Sequence, residues 1–185
     1  MESKTGRRQG PCQTVHHGRW DYDLTSAPNL MTLEVDGRSI DAVAEVSKQG
    51  FTYVCDRVTG EPVWPIEERP VERSTVPGEI TSPTQPFVTW PPPFDVQGVS
   101  HDDLIDFTPE LRPEAIEIVS QHKIGPLFTP PTGRRRQGPL ATLMMPSTTG
   151  GAHWGGASCH PETHVPRLHP PARVTHLRPR SARAP

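Results

Sequence analysis

Three short strand-like segments between residues 31 and 56 limit the folds open to this chain. "MTLEVDG" alternates and ends in Asp36-Gly37, a pair that favours a tight hairpin turn. "SIDAVAEV" alternates again, so its apolar residues share one face of a strand. "FTYVCD" adds a third run of aromatic and β-branched residues. We therefore predict a three-stranded antiparallel meander and an all-β fold class.

The segment from residue 65 to 131 changes character because it is rich in proline. Proline cannot donate a ladder hydrogen bond, so we predict a long irregular insertion with one short helix. The helix is expected near residues 108–121, with Thr108 as N-cap and Pro109 at the first helical position. Pro113 could divide this helix.

Composition excludes several classes of protein. Only 32% of the residues are hydrophobic, so a large continuous core is not expected, and the net charge of -2 gives no pull toward nucleic acid. No apolar run approaches the roughly 20 residues of a transmembrane helix. The N-terminal "MESKTGRRQG" lacks the apolar stretch of a signal peptide, so the sequence alone predicts a soluble chain that is not exported.

The last part of the chain is basic. After Glu117 the only acidic residue is Glu162, whereas "RRR" at 134–136 and five arginines after position 166 are basic. Residues 164–185 show no strand or helix period, so we predict a disordered basic tail there and a solvated loop at 134–136.

A weak internal repeat indicates a modular fold. "DRVTGEPVW" (56–64) is echoed by "ESKTGRRQG" (2–10), and "HPETH" (160–164) is a third, altered copy. Repeats of about 40 to 50 residues built from short strands are typical of propellers and solenoids.

Six segments in order carry a resemblance to a known family. They are "QTVHHGRWDYDL", "APNL", "SKQGFTYVCDRVTGEPVWP", "SPTQPF", "GPLFTPP" and "GGAHWGGA", which together run from about residue 1 to 163. The chain resembles the pyrroloquinoline-quinone (PQQ) dependent dehydrogenases, with the membrane glucose dehydrogenase type closest. The resemblance implies an eight-bladed β-propeller with the quinone on its axis. Trp64 fits the family's blade-docking motif, whereas Gly10 departs from it.

The length of the chain implies a partial propeller. A four-stranded blade needs roughly 40 to 45 residues, so we expect about two to three blades and interpret the chain as a fragment. The predicted parts are blade segments with the catalytic-type motif (1–64), the proline-rich insertion (65–131), the start of a next blade with "GGAHWGG" (132–163) and the tail (164–185).

The resemblance also implies site residues and cofactors. Asp21 matches the catalytic aspartate that also contacts calcium, and a carboxylate suits both the base and the hard-ion ligand. Lys48 matches the lysine that hydrogen-bonds the quinone oxygens. Trp154 matches a residue beside the quinone, and His153 stands where the family has asparagine. The implied cofactors are therefore PQQ and calcium.

Without the family, the same residues have ordinary interpretations. Asp21 and Lys48 are then loop and turn residues, and Trp20 and Trp154 are core residues. Asp23 is predicted to cap a turn and is given no chemistry.

Two groups of histidine and cysteine have metal-like spacing. The side chains of adjacent strand residues point to opposite faces, so His16 and His17 are not expected to coordinate one metal ion together. One of them could line the predicted cofactor pocket. Cys159, His160 and His164 are interpreted as a chance spacing, because the family holds no metal there.

Two functions remain open. The first is oxidation of CH-OH groups of sugars or alcohols, with membrane quinone as electron acceptor, at the periplasmic face and in association with the membrane. The remaining calcium ligands would lie on missing blades, so the fragment is expected to be inactive alone. The second is a non-catalytic propeller module that binds proteins, which does not require Asp21 and Lys48 to lie together.

Overall fold

A computed structural model describes residues 4–7, 12–133 and 138–160, together with the backbone of two short strands at Pro166–Leu168 and Thr175–Leu177. Within these residues the chain forms small antiparallel sheets, one α-helix and one 3-10 helix. No helix in this described part is long and apolar enough to cross a membrane.

The meander lies where the sequence predicts it. β1 (Asn29–Val35), β2 (Arg38–Val46) and β3 (Thr52–Asp56) form one antiparallel sheet in that order. Asp36 and Gly37 join the first two strands with φ of 51° and 71°. A type I′ hairpin turn requires positive φ at both central residues, so the sequence signal is confirmed.

The proline-rich insertion is more regular than expected. β4 (Ile66–Pro70) and β5 (Thr84–Val88) pair antiparallel, with Glu68 opposite Pro86. The prediction of an irregular segment is wrong at these strands. Each strand of a two-stranded sheet has one edge without ladder hydrogen bonds, and proline is tolerated on such an edge.

The helix is present but begins later than predicted. α1 covers Leu111–Ser120 with Glu110 as its N-cap, so Thr108 is not the cap. Pro113 lies in the first turn, where backbone N–H groups have no partner within the helix, and it therefore does not divide the helix. The 3-10 helix His101–Asp103 precedes it.

The C-terminal part contains paired strands. β6 (Thr142–Met144) pairs with β9 (Thr175–Leu177), and β7 (Ala157–Cys159) pairs with β8 (Pro166–Leu168). The prediction of a tail without strands is wrong at β8 and β9. Upstream strands provide their pairing partners, so these strands form without an apolar period of their own.

Several expectations fall outside the described residues. These are the interpretation of the arginines at 134–136, the role of Gly10 in blade docking, the position of His164, and the rest of the basic tail.

The core is divided into small clusters, as the composition predicts. The largest surrounds two aromatic residues of the "WDYD" segment, Trp20 and Tyr22, which are 1% and 3% exposed. Trp20 Nε1 donates to the Thr129 carbonyl at 2.8 Å, and the Tyr22 hydroxyl donates to the Pro146 carbonyl at 2.8 Å. A second cluster lies on the meander, where Trp64 packs against it.

The segment that carries "WDYD" is tied to β5 by one buried side chain. The Gln85 side chain accepts from the His16 backbone N–H at 2.8 Å and donates to the His16 carbonyl at 2.7 Å. Gln85 is completely buried, so leucine in its place would leave the partners of both hydrogen bonds unsatisfied.

We predict that Gln85→Leu lowers the free energy of unfolding by about 2–4 kcal/mol, measured by urea denaturation. Gln13→Ala is the control, because Gln13 is exposed and makes one local hydrogen bond. The control should change stability by less than about 0.5 kcal/mol. Equal effects of the two substitutions would contradict the role given to Gln85.

Candidate functional site

The "WDYD" segment presents aromatic side chains to one side and carboxylates to the other. Trp20 and Tyr22 are buried in the core, whereas the Asp21 and Asp23 side chains are 69% and 58% exposed. The segment is not a regular strand, so this division follows from the burial of the two aromatic rings. Both carboxylates therefore lie on the solvent side of this segment.

Lys48 lies in the turn between β2 and β3 and is almost fully buried. It is 3% exposed, and the turn is closed by hydrogen bonds from the Ser47 backbone N–H and hydroxyl to the Phe51 carbonyl at 3.0 and 2.9 Å. Gly50 has φ of 83°, which glycine adopts without strain. The tight turn fixes the backbone from which Lys48 projects.

The ammonium of Lys48 lies against Asp21. It donates to the Asp21 carbonyl at 3.0 Å and to Asp21 Oδ2 at 3.2 Å. Asp21 has φ of 61°, a conformation that is uncommon outside glycine. The structure therefore brings together the two residues that the resemblance selects.

Asp23 makes the shortest contact with Lys48, and neither the motif nor the resemblance selects it. Asp23 Oδ1 accepts from Lys48 Nζ at 2.7 Å, and this hydrogen bond, with smaller contributions from the charges of Lys48 and His153, holds the carboxyl pKa below its usual range. The expectation that Asp23 caps a turn is wrong, because its carboxylate pairs with Lys48. The signal that could have found it is the repeated aromatic–aspartate pair in "WDYD", which carries a second carboxylate two residues after Asp21.

The glycine-rich loop packs directly on Lys48. The Gly151 backbone N–H donates to the Lys48 carbonyl at 2.9 Å. Gly150 has φ of 80°, and a Cβ atom there would lie 2.4 Å from Lys48 Cγ. Glycine is therefore required at position 150 both for its backbone conformation and for the close approach.

His153 and Trp154 lie further along this loop. His153 is half-buried and close enough to Asp23 to lower the pKa of its carboxyl. Trp154 is 78% exposed, with its ring centroid 6.0 Å from that of His153. The alternative interpretation of Trp154 as a core residue is wrong, whereas Trp20 is a core residue.

A cleft of about 460 Å³ opens beside the carboxylates. It is lined by residues 12–15, Gly18, Asp21, Tyr22 and Asp23. Burial, with the neighbouring Asp95 charge, raises the pKa of the Tyr22 hydroxyl, and burial raises the pKa of the Cys12 thiol. Both groups are therefore neutral at physiological pH.

His16 and His17 line a second, polar cleft rather than the one at Asp21. His16 Nε2 lies 2.7 Å from Glu68 Oε1, and this contact lowers the pKa of the Glu68 carboxyl. Among the described residues, no group of three or more histidine, cysteine, aspartate or glutamate residues could hold a metal ion by itself. A calcium ion at Asp21 would therefore need ligands beyond these side chains.

A family model described as "PQQ: Glucose/ethanol/alcohol dehydrogenase, beta-propeller domain" matches residues 1–181. The chain belongs to this family. The antiparallel sheets formed by the described residues are separate and do not close into a ring, so the fold is part of a PQQ β-propeller. The family and fold expected from the resemblance are confirmed.

Curated relatives carry the names of several PQQ-type enzymes. The chain is 33% identical over 174 residues to the quinoprotein glucose dehydrogenase of Escherichia coli (strain K12), covering 93% of this chain and 21% of that protein. It is 32% identical to the glycerol dehydrogenase large subunit of Gluconobacter thailandicus, over 89% of this chain and 22% of that protein. It is 32% identical to a probable quinate dehydrogenase (quinone) of Xanthomonas campestris pv. juglandis, over 87% of this chain and 20% of that protein.

The chain thus spans about a fifth of the length of these relatives. No solved structure gives a significant match to it.

We predict that Gly150→Ala displaces the Lys48 side chain and lowers the free energy of unfolding by about 1–3 kcal/mol, because the new methyl group collides with Lys48 at a left-handed backbone position. Urea denaturation measures the loss. Gly155→Ala, in the same loop, is the matched control, since a Cβ atom there meets nothing within 4 Å. Equal stability of the two variants would contradict the close packing of the loop on Lys48.

Proposed function

We propose that this chain is part of a PQQ-dependent dehydrogenase that oxidises a CH-OH group of a sugar or alcohol. The observation that carries the proposal is the contact of the buried Lys48 ammonium with Asp21 at the edge of a cleft. The relatives are named as glucose, glycerol and quinate dehydrogenases, so a polyhydroxylated substrate is the class we infer.

Asp21, which lines the cleft, and Lys48, which contacts Asp21, fit the implied cofactors. Carboxylate oxygens are the ligands that calcium prefers, and Asp21 exposes most of its side chain. Lys48 supplies a fixed positive charge beside them, which suits the oxygens of a quinone. The volume of about 460 Å³ lies within the range of small-molecule sites. In this proposal Asp21 holds calcium, Lys48 holds the quinone oxygens, and His153 and Trp154 contact the quinone.

Asp21 and Lys48 have different roles in the proposed reaction. When bound, PQQ supplies a two-electron acceptor for hydride, and calcium polarises it. Asp21 Oδ accepts the proton of the substrate hydroxyl, and its exposure leaves it accessible. The Lys48 hydrogen bond to the Asp21 carbonyl fixes the backbone of the base. The positive charge of Lys48 stabilises negative charge that develops on a neighbouring acceptor oxygen.

The setting of the reaction is proposed from the family. The electron acceptor is a membrane quinone, and the site works at the periplasmic face in association with the membrane. Nucleic acid is not among the proposed partners.

The second candidate, a propeller module that binds proteins without catalysis, requires no contact between Asp21 and Lys48. The three hydrogen bonds that converge on the Lys48 ammonium are unexplained by that candidate. They favour the redox function.

We also propose that this chain alone has no turnover. It spans about a fifth of its relatives, and its described side chains form no complete metal site. The remaining calcium ligands and much of the quinone pocket would come from further blades.

Titration of the chain with PQQ in the presence of calcium tests the proposal, with tryptophan fluorescence as the readout. We expect saturable quenching, and about tenfold weaker binding for Lys48→Met, because a charge-assisted hydrogen bond is lost. Lys123→Met is the control, since Lys123 pairs with Glu72 away from the cleft. The control should bind PQQ like the parent chain.

Absence of saturable binding, or equal affinity of Lys48→Met and the parent chain, would argue against the proposal. In the same samples, glucose and a redox dye should give no dye reduction. Dye reduction by this chain would contradict the proposed incompleteness of the site.

A further inference from the structure

All three N–H donors of the Lys48 ammonium are occupied. A lysine ammonium has three donors and no acceptor. Its partners here are the Asp21 carbonyl at 3.0 Å, Asp21 Oδ2 at 3.2 Å and Asp23 Oδ1 at 2.7 Å. Any further acceptor oxygen, including that of a quinone, can bind Lys48 only by displacing one of the three.

The three partners differ in how firmly they are held. Asp23 Oδ1 has the shortest contact, as expected of a charge-assisted hydrogen bond. The Asp21 carbonyl belongs to the backbone between two buried aromatic residues, so it cannot rotate away. The Asp21 carboxylate has the longest contact and the more exposed side chain, at 69% against 58% for Asp23. The hydrogen bond from Lys48 to the Asp21 carboxylate is therefore the one of the three that is most easily displaced.

We propose that Asp23 is a positioning residue, the lasting counter-ion of Lys48, and that an incoming acceptor oxygen replaces the Asp21 Oδ2 contact. The inference rests on the proposed function and deepens it, because it separates the roles of the two aspartates. Asp23 holds the ammonium in place, while Asp21 is released to take a proton or a cation.

Burial of Lys48 explains why a second carboxylate is needed. An ammonium that is almost fully buried must keep a partner of opposite charge. With Asp23 removed, Asp21 is the only residue in the described part of the chain whose carboxylate contacts Lys48, so a quinone oxygen would have to break the single ion pair. Binding of PQQ should then weaken.

The first test needs no cofactor. In the full chain labelled with 15N-lysine and kept in chelator, the Lys48 ammonium should give a proton–nitrogen correlation, because burial and hydrogen bonds slow its exchange with water. Lys48→Met identifies the signal by its loss. We expect the signal to persist in Asp21→Asn and to disappear or shift strongly in Asp23→Asn.

Asp41→Asn is the matched control for the loss of one negative charge. Asp41 forms an ion pair with Arg57 at the same 2.7 Å, but on the exposed meander. Its substitution should leave the Lys48 signal unchanged. A Lys48 signal that survives in Asp23→Asn and is lost in Asp21→Asn would overturn the inference.

The second test is the affinity for PQQ. Asp23→Asn should bind PQQ about 10- to 100-fold more weakly than the parent chain, and Asp23→Glu should recover part of the loss. Simple charge repulsion predicts the opposite sign, since PQQ itself carries carboxylates. Unchanged or tighter binding by Asp23→Asn overturns the inference, whereas failure of the parent chain to bind PQQ overturns the proposed function instead.

Discussion

The buried ammonium of Lys48 is the interaction on which the site depends. Removing a charge from water is costly unless an opposite charge and hydrogen bonds accompany it. Lys48 meets this requirement through Asp21 and Asp23, which belong to a different part of the chain. The pairing therefore joins the β2–β3 turn to the "WDYD" segment. The glycine-rich loop closes over the same lysine through the Gly151 hydrogen bond.

The packing around this centre determines which way the charged groups face. Trp20 and Tyr22 anchor the segment in the core, and their hydrogen bonds to backbone carbonyls fix the orientation of both rings. The Asp21 and Asp23 side chains are not buried with the rings, and they line the cleft. Gln85 holds the preceding residues against β5. A small core is thus sufficient to position the site, because few side chains determine the direction of each charged group.

The parts of the fold that depend on local rules could be predicted from the sequence. The meander follows from period-two alternation and from Asp36-Gly37, which specify strands and turn without reference to the rest of the chain. β8 and β9 could not be predicted, because their partners lie upstream and their own sequence carries no period. In the site, the family resemblance selected Asp21 and Lys48, but not Asp23. The role of Asp23 becomes visible only when the geometry around Lys48 is known.

In the proposed function, Asp21 and Lys48 act as one unit toward PQQ. A double-mutant cycle with Asp21→Asn, Lys48→Met and the combined variant, measured as PQQ dissociation constants in the presence of calcium, tests it most directly. Residues in one hydrogen-bond network give coupling energies of about 0.5–3 kcal/mol, whereas independent residues are additive within about 0.5 kcal/mol. We expect a coupling above about 1 kcal/mol. Additive effects of the two substitutions would contradict the account.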